Sequence, residues 1–203
     1  MRATLLFLLI SLAAPVTRAD PESPSPALAT VTHLQDGLIA LMRSSDADSE
    51  RTAAVTQLLR DTHDLSYIAR VVLGRHWRDL SADDQAKFIA QFEALSVANY
   101  TSRFRRYSGE HFDVAEEQTL SEDEHSVRSV LTTANGATHE FVYLLHPDGG
   151  QWRIVNIVVD GVSDLALKRA EYGRLMDAGG FPALLAEITQ QTERLRARAA
   201  EST

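Results

Sequence analysis

Apolar residues recur at three and four along most of the first hundred positions. From Ala27 to Met42, Leu28, Val31, Leu34, Leu38, Leu41 and Met42 fall on one helical stripe. A second helix is expected over about Ser49 to Thr62, carrying Ala53, Val55, Leu58 and Leu59. Asp64 can cap a third, short helix with Leu65, Ile68, Val71 and Val72, and Gly74 is its stop. Ser81-Ala-Asp-Asp84 reads as a capping-box variant with acid in the first turn. The helix it opens is expected to reach about Tyr107, roughly 26 residues or about 39 Å. Phe88, Ile89, Phe92, Leu95, Tyr100, Phe104 and Tyr107 lie along one broad side of it.

The period then changes from 3.6 to 2. HFDVAEEQTL, HSVRSVLTTA, THEFVYLLHP and GQWRIVNIVVD read as four strands of an antiparallel meander. Asn135-Gly136 is a two-residue hairpin signal, and Pro147-Asp-Gly-Gly150 marks the next tight turn. The last two strands are apolar on both faces, which implies cover on both sides. Asp160-Gly-Val-Ser163 turns the chain into a helix from about Asp164 to Met176. Gly179-Gly180 breaks it, and a final helix takes in Leu184, Leu185, Ile188 and Leu195. Helices, then a sheet, then helices make an α+β chain, with helices wrapped on a curved antiparallel sheet of four strands or slightly more.

The extreme N-terminus does not belong to that fold. Arg2, the apolar run Ala3 to Ala14, Pro15, and small residues at Thr17 and Ala19 form a secretory signal peptide, residues 1–19, cleaved after Ala19. The run is shorter than the roughly 20 residues a bilayer span needs. DPESPSP, residues 20–26, reads as a flexible linker, and residues 27–199 as one domain. Export to a bacterial periplasm is the expected localisation. Removing Arg2 and Arg18 with the signal leaves 18 Lys and Arg against 28 Asp and Glu, a formal charge of about −10. Such a balance disfavours general nucleic-acid binding and adhesion to anionic membranes.

Composition removes several chemistries. The chain has no cysteine, so disulfides, thiol catalysis and cysteine metal sites are excluded. The seven histidines are scattered without metal-ligand spacing, and no Gly-rich phosphate loop or GxSxG elbow occurs. No metal and no cofactor are expected. His139-Glu140 and His125 would make an acid–base pair across a hairpin, but outward-facing strand positions explain them better. Two constellations remain. The aromatics Trp77, Phe88, Phe92, Tyr100, Phe104, Tyr107, Phe141, Tyr143 and Trp152 fit either an ordinary core or the lining of a cavity between sheet and long helix. Arginines gather near the end of that helix and around Trp77, either as solvated charges or as a mouth for a phosphate or a docking partner.

The stretch VLGRHWRDLSADDQAKFIAQFEALSVANYTSRFRRYSGE resembles the signature block of the MlaC, or toluene-tolerance, family. Leu73, Gly74, Trp77, Gln85, Phe88, Phe92, Tyr100, Tyr107 and Gly109 carry the likeness. WRIVNIVVDGVSDLALKRAEYGRLMDAGGFPALLAEI is similar to the family's second block, through Trp152, Gly161-Val162-Ser163, Tyr172 and a Gly before a Leu-rich helix. Asn156 stands where many relatives carry an acid on the last strand, and Asp160 where many carry Glu. The tail also resembles the hopanoid-associated HpnM branch. The resemblance implies a non-enzymatic periplasmic carrier with a lipid-sized pocket between sheet and helices. It would take phospholipid, or alternatively a hopanoid or other polycyclic lipid, between an outer-membrane lipoprotein complex and an inner-membrane ABC transporter complex. Contact with membranes would be transient, and maintenance of outer-membrane lipid asymmetry is the implied role.

The residues expected to bind ligand are Leu73, Trp77, Phe88, Phe92, Tyr100, Phe104, Phe141, Tyr143, Val155, Ile157, Val159 and Val162. Arg103 and Arg106 are expected to meet a headgroup or a docking partner. An enzyme on the same scaffold would need a buried acid or base, for which His76 and Asp160 are the candidates. An adaptor would have a filled interior.

Overall fold

The computed structural model describes residues 24–201. The residues read as a signal peptide, and most of those read as a linker, lie outside them. Ser25 and Pro26, read from the sequence as the end of the linker, instead start the first helix. The Ser25 hydroxyl oxygen accepts the Leu28 N–H at 3.1 Å, and Pro26 occupies the first turn of α1 (Pro26–Arg43), where its missing N–H costs nothing. The same hydroxyl donates to Glu117 at 2.6 Å, tying this end to the sheet.

Next come α2 (Asp48–Thr62) and α3 (Leu65–Leu73), the latter capped by the Asp64 carboxylate, which accepts the Tyr67 N–H at 2.8 Å. Gly74, at φ 55°, ends α3 in a conformation that disfavours other residues, and a 3-10 helix (Gly74–Asp79) carries Trp77. Ser81 then caps α4 (Ala82–Arg103) by accepting the Asp84 N–H at 3.1 Å.

α4 stops four residues before the apolar periodicity does. The reason is a buried cation. Arg51 of α2 donates to Leu41 O at 2.6 Å, Ser44 O at 3.1 Å and Phe104 O at 3.3 Å, gathering carbonyls at the ends of α1 and α4. A cation there complements both helix dipoles. Phe104 leaves helical geometry, and the Tyr107 N–H donates to Met42 O at 3.1 Å.

The sheet runs β1 (His111–Ser121), β2 (Glu124–Thr132), β3 (Thr138–Asp148), β4 (Gln151–Val159) and β5 (Val162–Ser163), every neighbour antiparallel and in chain order. Four strands match the periodicity reading; β5 is an addition. Its two residues pair with Val158 and Val159 across a hairpin of Asp160 and Gly161, both at positive φ. The Asn135-Gly136 turn is longer than expected. Thr133 N donates to Ala137 O, and Gly136, at φ 83°, closes a three-residue loop. Gly149 and Gly150, both at positive φ, make the two-residue turn into β4.

α1 packs on the face holding Val127, Ser129, Tyr143, Leu145 and Ile154, all buried. Gln35 fastens it there, donating to Ser129 Oγ at 2.7 Å and to Tyr143 OH at 3.3 Å. The opposite face is covered less than its apolar residues suggested. Val142 and Leu144 are half-buried beside Arg128, whose guanidinium lies 3.6 Å from Glu116 and 3.8 Å from Glu140. Its aliphatic stem shields apolar neighbours while its head stays wet.

The C-terminal helix α5 (Asp164–Glu201) is kinked where the sequence placed a break. Gly180 has φ 67° and ψ −168°, with Pro182 two residues on. That backbone region is open to glycine and almost nothing else. Gly180→Ala should therefore lower stability by about 1–3 kcal/mol. Its urea midpoint should fall with an unchanged m-value, and an unshifted midpoint would mean that the kink does not require glycine.

Candidate functional site

A cavity of about 190 Å³ lies where α3, α4 and α5 meet the free edge of β4. From α4 come Phe92, Leu95, Ser96, Asn99, Tyr100 and Arg103, spaced as one stripe of a helix. β4 contributes Ile154, Val155, Asn156 and Ile157. The spacing on β4 is irregular because Leu144 pairs with Asn156 and Leu145 with Ile154, leaving Val155 unopposed in a bulge. Residues of both sheet faces therefore reach the same space. Leu59 and His63 close one end, with Leu65 and Ile68 of α3. α5 supplies Asp164, Leu165, Lys168, Gln191 and Leu195.

The polarity of this wall is graded. At the buried end, His63 Nδ1 is 2.9 Å from Thr62 Oγ1, whose own hydrogen goes to Leu58 O at 2.7 Å. Nδ1 must then be the donor, and Nε2 is left to accept from Tyr100 OH at 3.4 Å. The two rings meet edge to face at 5.9 Å. Burial pushes the His63 imidazolium pKa down from 6.5 to about 4 and raises that of the Tyr100 phenol, so both groups are neutral. At the other end Arg103 and Asp164 are exposed, and Lys168 reaches Asp164 at 3.0 Å. A neutral floor thus leads to a charged mouth.

Of the residues expected to bind ligand, the structure brings Phe92, Tyr100, Val155 and Ile157 together on this wall, with Arg103 at the mouth. Leu73 and Phe88 are buried elsewhere in the core, Phe88 edge-on to Tyr172 at 6.0 Å. Trp77 packs against that core, its carbonyl accepting from Gln85 Nε2 at 3.0 Å. Phe104 stacks on the far side of Tyr100, and Phe141 stacks on Tyr143 under α1. Val159 and Val162 sit at the β4–β5 hairpin, Val162 being 53% exposed. Arg106 lies past the end of α4, off the cavity wall. The wall also includes residues the sequence reading did not single out: Ser96 and Asn99, the α5 group and His63. The first two share the helical spacing of Phe92 and Tyr100, a signal that a search for apolar residues discards.

The remaining candidates for acid–base chemistry are elsewhere. His76 lies 3.3 Å from Asp177, and Asp160 is an exposed turn residue bonded to His139 at 2.8 Å. His125 does not face outward as its strand position suggested. It lies on the helix-packed face, 2.9 Å from Glu117 and 4.3 Å from the Trp152 ring centre. Among the described residues no group of His, Asp and Glu could hold a metal ion.

A family model described as MlaC protein matches residues 32–190. The chain belongs to the MlaC family. A curated member from Haemophilus influenzae, the intermembrane phospholipid transport system binding protein MlaC, is 25% identical over 130 residues, 62% of this chain and 61% of that protein. The matched region thus spans about three-fifths of that relative. A solved structure of a phospholipid-binding protein from Ralstonia solanacearum, in complex with a phospholipid, superposes with a TM-score of 0.71 at 18% identity. It covers 84% of this chain and 98% of the other, a likeness of fold.

The buried imidazole makes a pH prediction. Because the folded chain refuses a proton that the unfolded chain binds below about pH 6.5, His63 contributes no slope above that pH. Stability should fall by about 1.4 kcal/mol per unit as pH drops from 6.5 towards 4. Subtracting the His63→Leu curve of urea midpoints from the wild-type curve should isolate this slope. Parallel curves would place His63 in solvent.

Proposed function

We propose that this chain is a periplasmic phospholipid carrier. Its acyl chains enter the cavity beside β4, and its headgroup phosphate stays at the mouth, near Arg103 and Lys168. The observation that carries the reading is the graded wall itself, uncharged within and carrying two cations against one carboxylate at the rim of an acidic chain. Family membership and the phospholipid bound in the Ralstonia solanacearum neighbour support it. The name of the Haemophilus influenzae relative supports transport between membranes. The signal peptide read at residues 1–19 supports periplasmic residence. Lipid would pass between an outer-membrane lipoprotein complex and an inner-membrane ABC transporter complex, with no catalytic step.

The physical need for such a carrier is plain. Each methylene exposed to water costs about 0.8 kcal/mol, so a diacyl lipid cannot cross an aqueous space bare. Size adds a condition. About 190 Å³ is comparable with an engineered apolar cavity of about 150 Å³ that accepts benzene, and a pair of long acyl chains exceeds it several-fold. Loading must part the walls. β4 is held by its ladder to β3, which leaves α5, hinged at Gly180, as the wall that yields.

Native mass spectrometry of the mature protein from a diderm host, with lipid extraction of the same sample, tests this directly. A stoichiometric phospholipid adduct is expected. Val155→Arg should abolish it while leaving the circular dichroism spectrum unchanged. The Arg103→Glu, Lys168→Glu double variant should lose anionic lipid more than zwitterionic lipid. An empty wild type, or full lipid in folded Val155→Arg, would sink the carrier reading at this cavity. A polycyclic lipid in place of phospholipid would keep the carrier and change its cargo.

A further inference from the structure

A second concavity lies on the other side of α5. It is an open groove of about 520 Å³ between the end of α3 with its 3-10 turn and the first half of α5. Val72 and Leu73 form one side; Ala166, Ala170 and Gly173 form the floor along one stripe of α5. A Cβ built on Gly173 would meet nothing within 4 Å, so the floor is low and unfilled there. Cations stand round it. Arg75 is taken by Asp177 at 2.7 Å, but Arg169 and Arg174 make no ion pair among the described residues. Arg169 instead covers Gly74, with Nη2 3.2 Å from where a Cβ would stand.

Arg169 and Arg174, the latter donating from Nε to Ala170 O at 3.4 Å, give this apolar trough a local excess of positive charge on a chain whose mature formal charge is about −10. We propose that this groove is a docking site for a partner protein, which lays an apolar segment flanked by Asp or Glu into it. The small residues of the floor let a backbone approach closely, and Arg169 and Arg174 meet the flanking carboxylates bidentately. A lipid surface fits less well. A planar array of headgroups cannot enter a trough between two helices, and the acidic remainder of the chain repels an anionic membrane. The inference goes beyond the carrier reading and does not depend on what the cavity holds.

A photo-reactive benzoylphenylalanine placed at Ala170 of the full-length chain, in cells of a diderm host, tests it. The expected result is one discrete protein adduct, mapped by peptide mass spectrometry to an apolar segment with acidic flanks. The same probe at Gln118, an exposed β1 position, should give none. The Arg169→Glu, Arg174→Glu pair should cut the adduct about tenfold or more, because like charges then face each other. Gly173→Leu should cut it equally by filling the trough; its Cβ meets nothing within 4 Å, and an unchanged circular dichroism spectrum checks that the variant folds. Adducts with lipid, adducts with a segment lacking acid, or a yield indifferent to both variants would overturn the proposal. Lipid extracted from the same samples separates the two readings. An adduct on a protein that carries no lipid keeps the docking site and removes the carrier.

Discussion

The fold turns on how one strand edge is covered. β5 pairs with just two residues of β4, so from Trp152 to Ile157 the outer edge of the sheet has no strand beside it. Bare edges invite pairing with other chains. Here the edge groups are met one at a time. Thr30 Oγ1 donates to Trp152 O at 2.9 Å, and the Asp64 N–H donates to Ile154 O at 3.1 Å. Side chains of α3, α4 and α5 are laid over the rest. A ladder would have left no room, because its spacing is fixed at about 4.8 Å. Helices standing against an edge set their own distance, and the gap between them is the cavity.

The bulge at Val155 makes that gap usable. Without it Ile154 and Ile157, three residues apart, would fall on opposite faces; with it they lie across from Leu145 and Tyr143 on the same face. With it the strand twists, and consecutive residues of β4 line one space. The lining includes a neutral imidazole and a neutral phenol bonded to each other, so the floor is uncharged without being wholly hydrocarbon. For a carrier this matters. A wall of unbroken Leu and Phe would hold acyl chains too tightly to release, and each replaced apolar contact reduces the cost of emptying.

Much of this was legible in the sequence. The alternation of HFDVAEEQTL through GQWRIVNIVVD located four strands to within a residue or two, and Ser81, Asp64 and Gly74 marked helix ends that the structure keeps. The end of α4 was not legible, because it depends on Arg51, a residue distant in sequence that reads as a surface cation. The cavity wall was only partly legible for a related reason. Aromatic residues announce burial but not what they are buried against. Phe88 and Trp77 pack on α5 and the core, while Phe92, one turn on from Phe88, faces the cavity. The choice between core and wall is made by the kink at Gly180, which swings the second half of α5 across the sheet edge and brings Gln191 and Leu195 to the cavity.

Trp77 and the small residues of α5 acquire a shared meaning from this arrangement. The 3-10 turn that carries Trp77 anchors one bank of the groove, and the first half of α5 is the other bank. The same half of α5 turns Leu165 and Lys168 to the cavity and Ala166 and Arg169 to the groove, adjacent residues about 100° apart round one helix. Any movement of α5 that widens the cavity changes the groove as well. A partner that prefers one position of α5 must then alter lipid affinity by the factor by which lipid alters the partner's. Such coupling is what a carrier needs at its two destinations, since it lets the docking event itself favour release or capture without nucleotide or catalysis.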